Sequence, residues 1–305
     1  IIKDNKVASC NGKCNLRYNY TKSNISSINK NNYLEINLTN KTNTVINYST
    51  NTRGTKCQSQ GGEFVVDHMR IYHPSIHTYN DRRSNAELII VHKNTSGADD
   101  LLICLPISIS SGTQPEASSQ LSYIINVMKD IGNSSGEGGQ IPNLNLNLNS
   151  FIPNKPFYTY SGMLPFIPCS DCAIFIVYDV NQASININPE TFGILKKIIE
   201  SKLFTIQKVT TDLGLAYNSE GAQLNTGSLG NDIWIDCKPT GSNGQVLIDE
   251  TPVDLQTTNI SIIDRIKEIF FNPYTFIIIG IIMVLVIFYI IRKVINKITS
   301  YQVNT

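Results

Sequence analysis

Four histidines, His68, His73, His77 and His92, are the only imidazoles in the chain, and they fall within one short stretch. Imidazole ligates metals and moves protons near neutral pH, so this clustering is the first place to look for chemistry. A metal centre would need three of them on one face, each nitrogen about 2.0–2.1 Å from the ion. Alternate residues of a strand share a face, so His68 can line a pocket with Arg70 and Tyr72, and a shifted register would bring His73 towards it. The other candidate motif, Cys169-Ser-Asp-Cys172, has Cys-x-x-Cys spacing but no second pair at zinc-ribbon distance. Satisfied, non-ligating histidines are therefore expected, with no metal and no cofactor.

The elements that must position these residues are mostly short strands between turn residues, from Leu16 to about Asp249. Tyr33–Leu38 and Asn143–Asn149 alternate apolar and polar residues. Glu87–His92, Leu101–Leu105 and Ala173–Tyr178 are more continuously apolar, as strands covered on both faces would be. Two helical stretches interrupt them. Ser119–Ile131 places Leu121, Ile124, Ile125, Met128 and Ile131 on one face, and Pro189–Lys202 opens with a proline suited to a helix start. Gly132–Gly139 and Ser219–Gly230 read as loops.

With 305 residues and a net charge of +1, the chain has no global basic field to favour nucleic acid. Phe276–Ile291 is an unbroken apolar run that, with Tyr274 and Thr275, reaches the roughly 17–25 residues needed to span a bilayer. Arg292, Lys293 and Lys297 follow it. The positive-inside tendency places that short tail on the cytoplasmic or equivalent interior side and the large N-terminal part outside. The predicted organisation is an extracytoplasmic domain over 1–250, then a linker with an amphipathic juxtamembrane segment (Ile260–Phe271) over 251–272. A transmembrane helix over 273–293, contacting lipid through 274–291, and a basic tail over 294–305 complete it. All seven cysteines precede the span, which suits an oxidising compartment, and the eight Asn-x-Ser/Thr sequons do too.

Two ungapped segments resemble the α-carbonic anhydrase family. His77–Asn94 (His-Thr-Tyr-Asn-Asp-Arg-Arg-Ser-Asn-Ala-Glu-Leu-Ile-Ile-Val-His-Lys-Asn) is similar to the family strand that carries Ala-Glu-Leu-His-Leu-Val-His-x-Asn. Phe157–Val177 is similar to the family's Tyr-Trp-Thr-Tyr-Pro-Gly-Ser-Leu-Thr-Thr-Pro-Pro-Cys-Ser-Glu, and flanking elements, including a closing Asp236–Val246 strand, fall in the family's order. The resemblance covers about Cys14 to Asp249. It implies a mainly β fold with peripheral helices, built on a large, mostly antiparallel twisted sheet.

In that family three histidines hold Zn²⁺, which lowers the pKa of a bound water so that hydroxide forms at neutral pH. The resemblance places Arg70 and Tyr72 at the paired ligand positions and Ile89 at the third. Arginine stays protonated and isoleucine has no lone pair, so neither can ligate. Ile76 stands where the family has a glutamate, Pro165 replaces the threonine that orients the hydroxide, and Phe166 would narrow the cavity. Asn32 lies near the usual proton-shuttle position. Glu87 matches a buried structural glutamate, and His77 and His92 match structural positions. A disulfide between Cys14 and Cys169 is implied, Cys104 and Cys172 are expected as buried thiols, and a Cys10–Cys57 pair is left open.

These substitutions predict a catalytically inactive pocket of His68, Arg70, Tyr72, Ile76, Glu87, Ile89, Pro165 and Phe166. The architecture resembles that of the chondroitin-sulfate-binding surface proteins of poxviruses within this family. The expected function is therefore a surface binding or adhesion module for a glycosaminoglycan or protein receptor, at a cell surface or virion envelope, with Arg70, Arg82 and Arg83 as possible polyanion contacts. The alternative is a structural accessory subunit packed against neighbours in a membrane assembly.

Overall fold

Period-two alternation through most of the chain builds one large sheet, with the helices laid on it. The computed structural model describes residues 7–41, 45–50, 57, 61–79, 81–97, 99–112, 115–167, 169, 171–204, 213–225 and 292. The chain divides into two compact units, Ile1–Gly230 and Asn231–Thr305. The closing strand, the juxtamembrane segment and the apolar run expected beyond residue 230 lie outside the described residues. Among the described residues no helix is long and apolar enough to cross a membrane.

The first half runs β1 (Ala8–Ser9), β2 (Asn15–Tyr18), β3 (Ser23–Asn29), β4 (Tyr33–Leu38), β5 (Val45–Ser49), β6 (Gly62–Tyr72), β7 (Thr78–Tyr79), β8 (Arg82–Arg83), β9 (Ala86–Asn94) and β10 (Asp100–Ile109). The helix α1 (Glu116–Ile131) follows, then β11 (Gly138–Leu146), β12 (Phe157–Met163), β13 (Cys172–Tyr178), β14 (Ile185–Ile187), α2 (Pro189–Ile198), β15 (Ala216–Asn218) and β16 (Gln223–Leu224). Among the described residues the main sheet has 14 strands, with β1-β15-β12-β13-β10-β9-β6-β4-β3-β11 as its longest path. Most neighbours are antiparallel, but β13 runs parallel to β10, so the sheet is mixed.

The apolar runs of β9, β10 and β13 form the centre of this path, and nearly every residue in them is buried. One face carries the main core, where Leu88, Ile90, Leu101, Ile103 and Ile176 meet Leu121, Ile125 and Met128 of α1 and Leu195 of α2. The other face carries a second cluster built on Ile89, Val91, Leu102, Cys104 and Val177.

The helix α1 begins one turn earlier than its apolar stripe predicts, with Glu116 in the first turn. The helix α2 is opened by Pro189 and capped by the Asn188 side chain, which accepts from Thr191 N–H at 2.7 Å. It ends at Ile198 rather than Lys202. Ile199 is extended, and the next N–H groups leave the helix ladder: Glu200 donates to Asn31 O and Lys202 to His73 O. The predicted 143–149 strand starts earlier and stops at Leu146, because Leu148–Ser150 closes a 3₁₀ turn. Within the predicted 219–230 loop, β16 adds a short parallel pairing to β2.

The cysteine pairing corrects the expectation. Cys14 bonds Cys10, not Cys169, and Cys57 bonds Cys172. The physical reason is local: Cys14 N–H donates to Cys10 O at 2.9 Å, so one tight turn brings the two side chains together. Cys169 is an exposed free thiol, and the open Cys10–Cys57 pairing is excluded with it. Cys172 is no thiol, whereas Cys104 is buried and free as expected.

The Cys57–Cys172 bond closes a loop with a sequence separation of 115. Cys57→Ser is expected to lower unfolding free energy by about 2–5 kcal/mol, read by urea denaturation. Non-reducing peptide mapping should recover Cys57 linked to Cys172; recovery of a Cys14–Cys169 peptide instead would overturn the pairing.

Candidate functional site

The pocket face is set by a single irregularity in β6. Phe64 and Val66 face the main core, opposite Asn94 and His92 of β9, but the register shifts between Val66 and His68. A bulge of this kind inserts one residue and reverses which side of the sheet follows. Beyond it His68 lies opposite Val91, Arg70 opposite Ile89 and Tyr72 opposite Glu87, while Ile89 lies opposite Cys104 of β10. The sheet thus brings His68, Arg70, Tyr72, Glu87 and Ile89 to one face. Phe166 and Ile76 pack against the same apolar cluster, together with Tyr33, Tyr160 and Phe204. Pro165 stands between buried Leu164 and Phe166, and Asn32 sits in the β3–β4 turn, its N–H donating to Lys30 O.

Arg70 is the centre of the arrangement. Its guanidinium carbon lies 3.8 Å from the centroid of the Phe166 ring and 4.7 Å from that of Tyr33, so the planar cation is held between two π faces. Nε donates to His68 Nε2 at 2.7 Å and Nη1 to the Tyr72 hydroxyl at 3.4 Å. Because His68 Nε2 accepts, its proton resides on Nδ1, which donates to Asp67 Oδ2 at 2.9 Å. Lys41 Nζ donates to the other Asp67 oxygen at 2.9 Å. The His68 hydrogen bond, with Lys41 behind it, holds the Asp67 carboxyl well below the usual carboxylate range despite partial burial. Burial pushes the Tyr72 phenol up, partly offset by Arg70.

Deeper on the same face, Glu87 is fully buried and takes three hydrogen bonds from two residues of the neighbouring loop. Its Oε2 accepts from the N–H groups of Ile76 at 2.7 Å and His77 at 3.0 Å. Its Oε1 lies 2.6 Å from His77 Nδ1, and His77 Nε2 lies 2.9 Å from the Tyr160 hydroxyl. Burial alone would raise the carboxyl pKa, but the His77 ring and the backbone N–H groups outweigh it, leaving the group below its ordinary value. The Cys104 thiol nearby is pushed up by burial and by the Glu87 charge.

His77, Glu87 and Cys104 are the one group of three potential metal-ligating side chains among the described residues, their atoms within 4.8 Å of one another. Both His77 nitrogens and both Glu87 oxygens already have partners, so this trio is a satisfied network. The four histidines do not converge. His92 lies in the main core, between Tyr20 hydroxyl at 3.0 Å and Leu101 O at 3.2 Å, and His73 packs edge-on against Phe192. On the pocket face Arg70, Tyr72 and Ile89 offer a guanidinium, a phenol and a hydrocarbon, a donor set that does not fit Zn²⁺.

The three arginines suggested as polyanion contacts do not form one patch. Arg83 turns inwards: Nη1 donates to Ser75 O and to Ile76 O at 3.0 Å, and Nη2 to Phe204 O at 2.7 Å. Arg82 is exposed on the neighbouring hairpin position. Tyr33 and Phe204 escaped sequence reasoning because their sequence positions carry no motif. Tyr33 could have been found from strand alternation in β4, which places it beside Tyr72, at a ring distance of 5.3 Å.

A family model for eukaryotic-type carbonic anhydrase matches residues 2–208. Among solved structures, the α-carbonic anhydrase of Photobacterium profundum is 15% identical with a TM-score of 0.52, covering 68% of this chain and 82% of that one. Carbonic anhydrase Cah3 from Chlamydomonas reinhardtii, in complex with acetazolamide, is 14% identical with a TM-score of 0.54, covering 72% and 87%. Dioscorin complexed with ascorbate is 18% identical with a TM-score of 0.52, covering 73% and 84%. Likeness at these identities establishes the fold alone. No curated protein matches in sequence.

Burial lowers the His92 pKa from 6.5 to about 4. Between those values the unfolded chain binds a proton that the folded one refuses, so stability falls as pH drops from about 6.5 to about 4, by about 3 kcal/mol in total. Urea unfolding across this window should show that slope, and His92→Gln should flatten it. Glu87, whose pKa is lowered, contributes its own loss only below the ordinary carboxylate value, so the two windows separate.

Proposed function

Because the chain belongs to the eukaryotic-type carbonic anhydrase family, its site must be judged against that family's chemistry, and we propose that it performs none of it. The domain is instead a non-catalytic surface-recognition module for a protein receptor, carried by a C-terminal membrane anchor. The observation that carries this reading is the Arg70 guanidinium held between Tyr33 and Phe166. It occupies the position where the family resemblance expects a zinc ligand, with Tyr72 and buried Ile89 at the other two. A fixed positive charge there repels a dication, and a hydrocarbon offers it no lone pair.

Recognition of a protein is favoured over a glycosaminoglycan by two features of the pocket rim. Arg83 spends its donors on backbone carbonyls, which removes one of three candidate polyanion contacts. Apolar side chains instead project to solvent beside the aromatic rings: Ile167, next to Phe166, is 90% exposed, and Leu203, next to Phe204, is 74% exposed. Exposed apolar side chains gain little from a polysulfated chain, whereas a protein partner can bury them. The anchor is supported by the uncharged run 276–291 and the basic residues after it. On this reading the domain lies outside the cytoplasm, at a cell surface or virion envelope. The same exposed apolar residues would also suit the second reading, a structural subunit packed against neighbours in a membrane assembly.

The full chain supplied with zinc is expected to hydrate CO₂ no faster than the uncatalysed reaction; turnover abolished by a sulfonamide would overturn the reading. Ile167→Asp with Leu203→Asp is expected to weaken attachment of the full chain to receptor-bearing cells about tenfold or more. Arg82→Glu should leave it unchanged, and retention on a chondroitin sulfate column that Arg82→Glu abolishes would favour the polyanion instead. Co-purification in a fixed stoichiometric complex after detergent extraction would favour the structural subunit.

A further inference from the structure

We propose that Arg70 and Tyr72 form a receptor for a carboxylate, presented by an acidic side chain with apolar neighbours on a protein partner. This rests on the surface-recognition reading and names the chemistry the pocket takes.

The donors and acceptors on this face do not balance. A guanidinium has five N–H groups. Arg70 uses Nε on His68 and one Nη1 proton on Tyr72, and its other three have no acceptor among the described residues. Tyr72, only 2% exposed, receives that bond but finds no acceptor for its own hydroxyl proton there. The nearby carboxylates are engaged with other partners. Asp67 holds His68 and Lys41, Glu87 holds His77, and Glu35, opposite Arg70 across the β4–β6 pair, accepts from Asn37 at 3.3 Å. Among the described residues no carboxylate pairs with Arg70. Four donor hydrogens without a protein acceptor among the described residues are left to solvent at this partly buried site, and an oxyanion would satisfy several of them at once.

The geometry selects its class. Two rings fix the guanidinium plane, and the Asp67–His68 pair fixes its Nε edge, so a ligand meets a fork that is already oriented and loses little side-chain freedom on binding. A planar fork matches the two oxygens of a carboxylate. Both ring nitrogens of His68 are engaged, by Asp67 and by Arg70, so it offers a ligand no second donor beside the guanidinium. The walls are Tyr33, Phe166 and Phe204, whose ring lies 5.4 Å from that of Tyr72. A carboxylate carried on an apolar body satisfies both the fork and the walls. A polysulfated chain gains most from a row of unpaired cations, and Arg83 is not available to make one.

The test uses the full chain in detergent micelles, titrated calorimetrically with 3-phenylpropionate, with its neutral isostere 3-phenylpropanol, and with chondroitin sulfate. Saturable phenylpropionate binding at least about tenfold tighter than phenylpropanol is expected. Arg70→Gln should abolish that preference. Arg70→Lys, which keeps the charge but not the fork, should weaken binding several-fold, and Tyr72→Phe should do so with the fold intact. Circular dichroism and urea midpoints confirm that each variant is folded, and if Arg70→Gln does not fold, Tyr72→Phe decides. Absence of saturable phenylpropionate binding overturns the proposal, as does chondroitin sulfate binding that depends on Arg70 while the carboxylate does not bind. If carboxylate binding fails but cell attachment still depends on Ile167 and Leu203, this inference falls alone; if attachment fails too, the recognition reading falls with it.

Discussion

A carboxylate with no exposed surface, Glu87, sits in the middle of strands that are buried on both faces, and the pocket side of the domain is organised around satisfying it. An ionised group in such a place survives only when every lone pair is met, and removing one partner from a buried pair costs about 3–5 kcal/mol. Glu87 therefore pins the loop before β7 through two backbone N–H groups, fixes the His77 ring, and through that ring reaches the Tyr160 hydroxyl on β12. Three elements distant in sequence are joined by one charge. The Tyr160 ring in turn stacks at 4.6 Å on Phe175 of β13, which carries the order of the polar network into the apolar cluster.

Above this fixed floor the pocket face is unlike its surroundings. Ile89 and Cys104 present hydrocarbon and a protonated thiol, and Arg70 is the one cation on the row that runs from His68 to Tyr72. A guanidinium can occupy such a place because its faces are weakly hydrated and accept aromatic rings, whereas an ammonium would demand water or a carboxylate. The polar edge of Arg70 and the apolar faces of its neighbours are thus consequences of one side chain's shape.

The sheet centre was legible in the sequence because doubly covered strands need uninterrupted apolar runs, and β9, β10 and β13 have them. The helices were legible from their stripes, but α2 ends early because Asn31 and His73 capture the next backbone N–H groups, a tertiary event with no local signal. The pocket residues were placed by family resemblance, and the sheet brings them to one face; what surrounds them was not legible. Tyr33 and Phe204 approach from β4 and from beyond α2; the alternation of β4 fixes the side that Tyr33 takes, but nothing near Phe204 marks it as the wall of a site. Disulfide pairing failed for the same reason in reverse. The resemblance suggested a long-range partner for Cys14, while a turn of four residues supplied a nearer one.

The bulge in β6 is the step at which sequence order becomes site chemistry. Were β6 regular through Asp67, with no register shift, His68 would alternate with Asp67 and share the face of Val66, the main core. With the shift, His68, Arg70 and Tyr72 line the pocket, while Asp67, the inserted residue, remains partly exposed where Lys41 can reach it. The Lys41–Asp67 pair is itself exposed enough that screening by water and salt leaves it little net stability. Its consequence lies in direction rather than strength. Asp67 sets the proton of His68 on Nδ1, and the free Nε2 then accepts from Arg70, which holds the guanidinium by its Nε edge. A weak surface pair thus orients an interior one through the His68 ring, and the proposed anion site depends on that orientation.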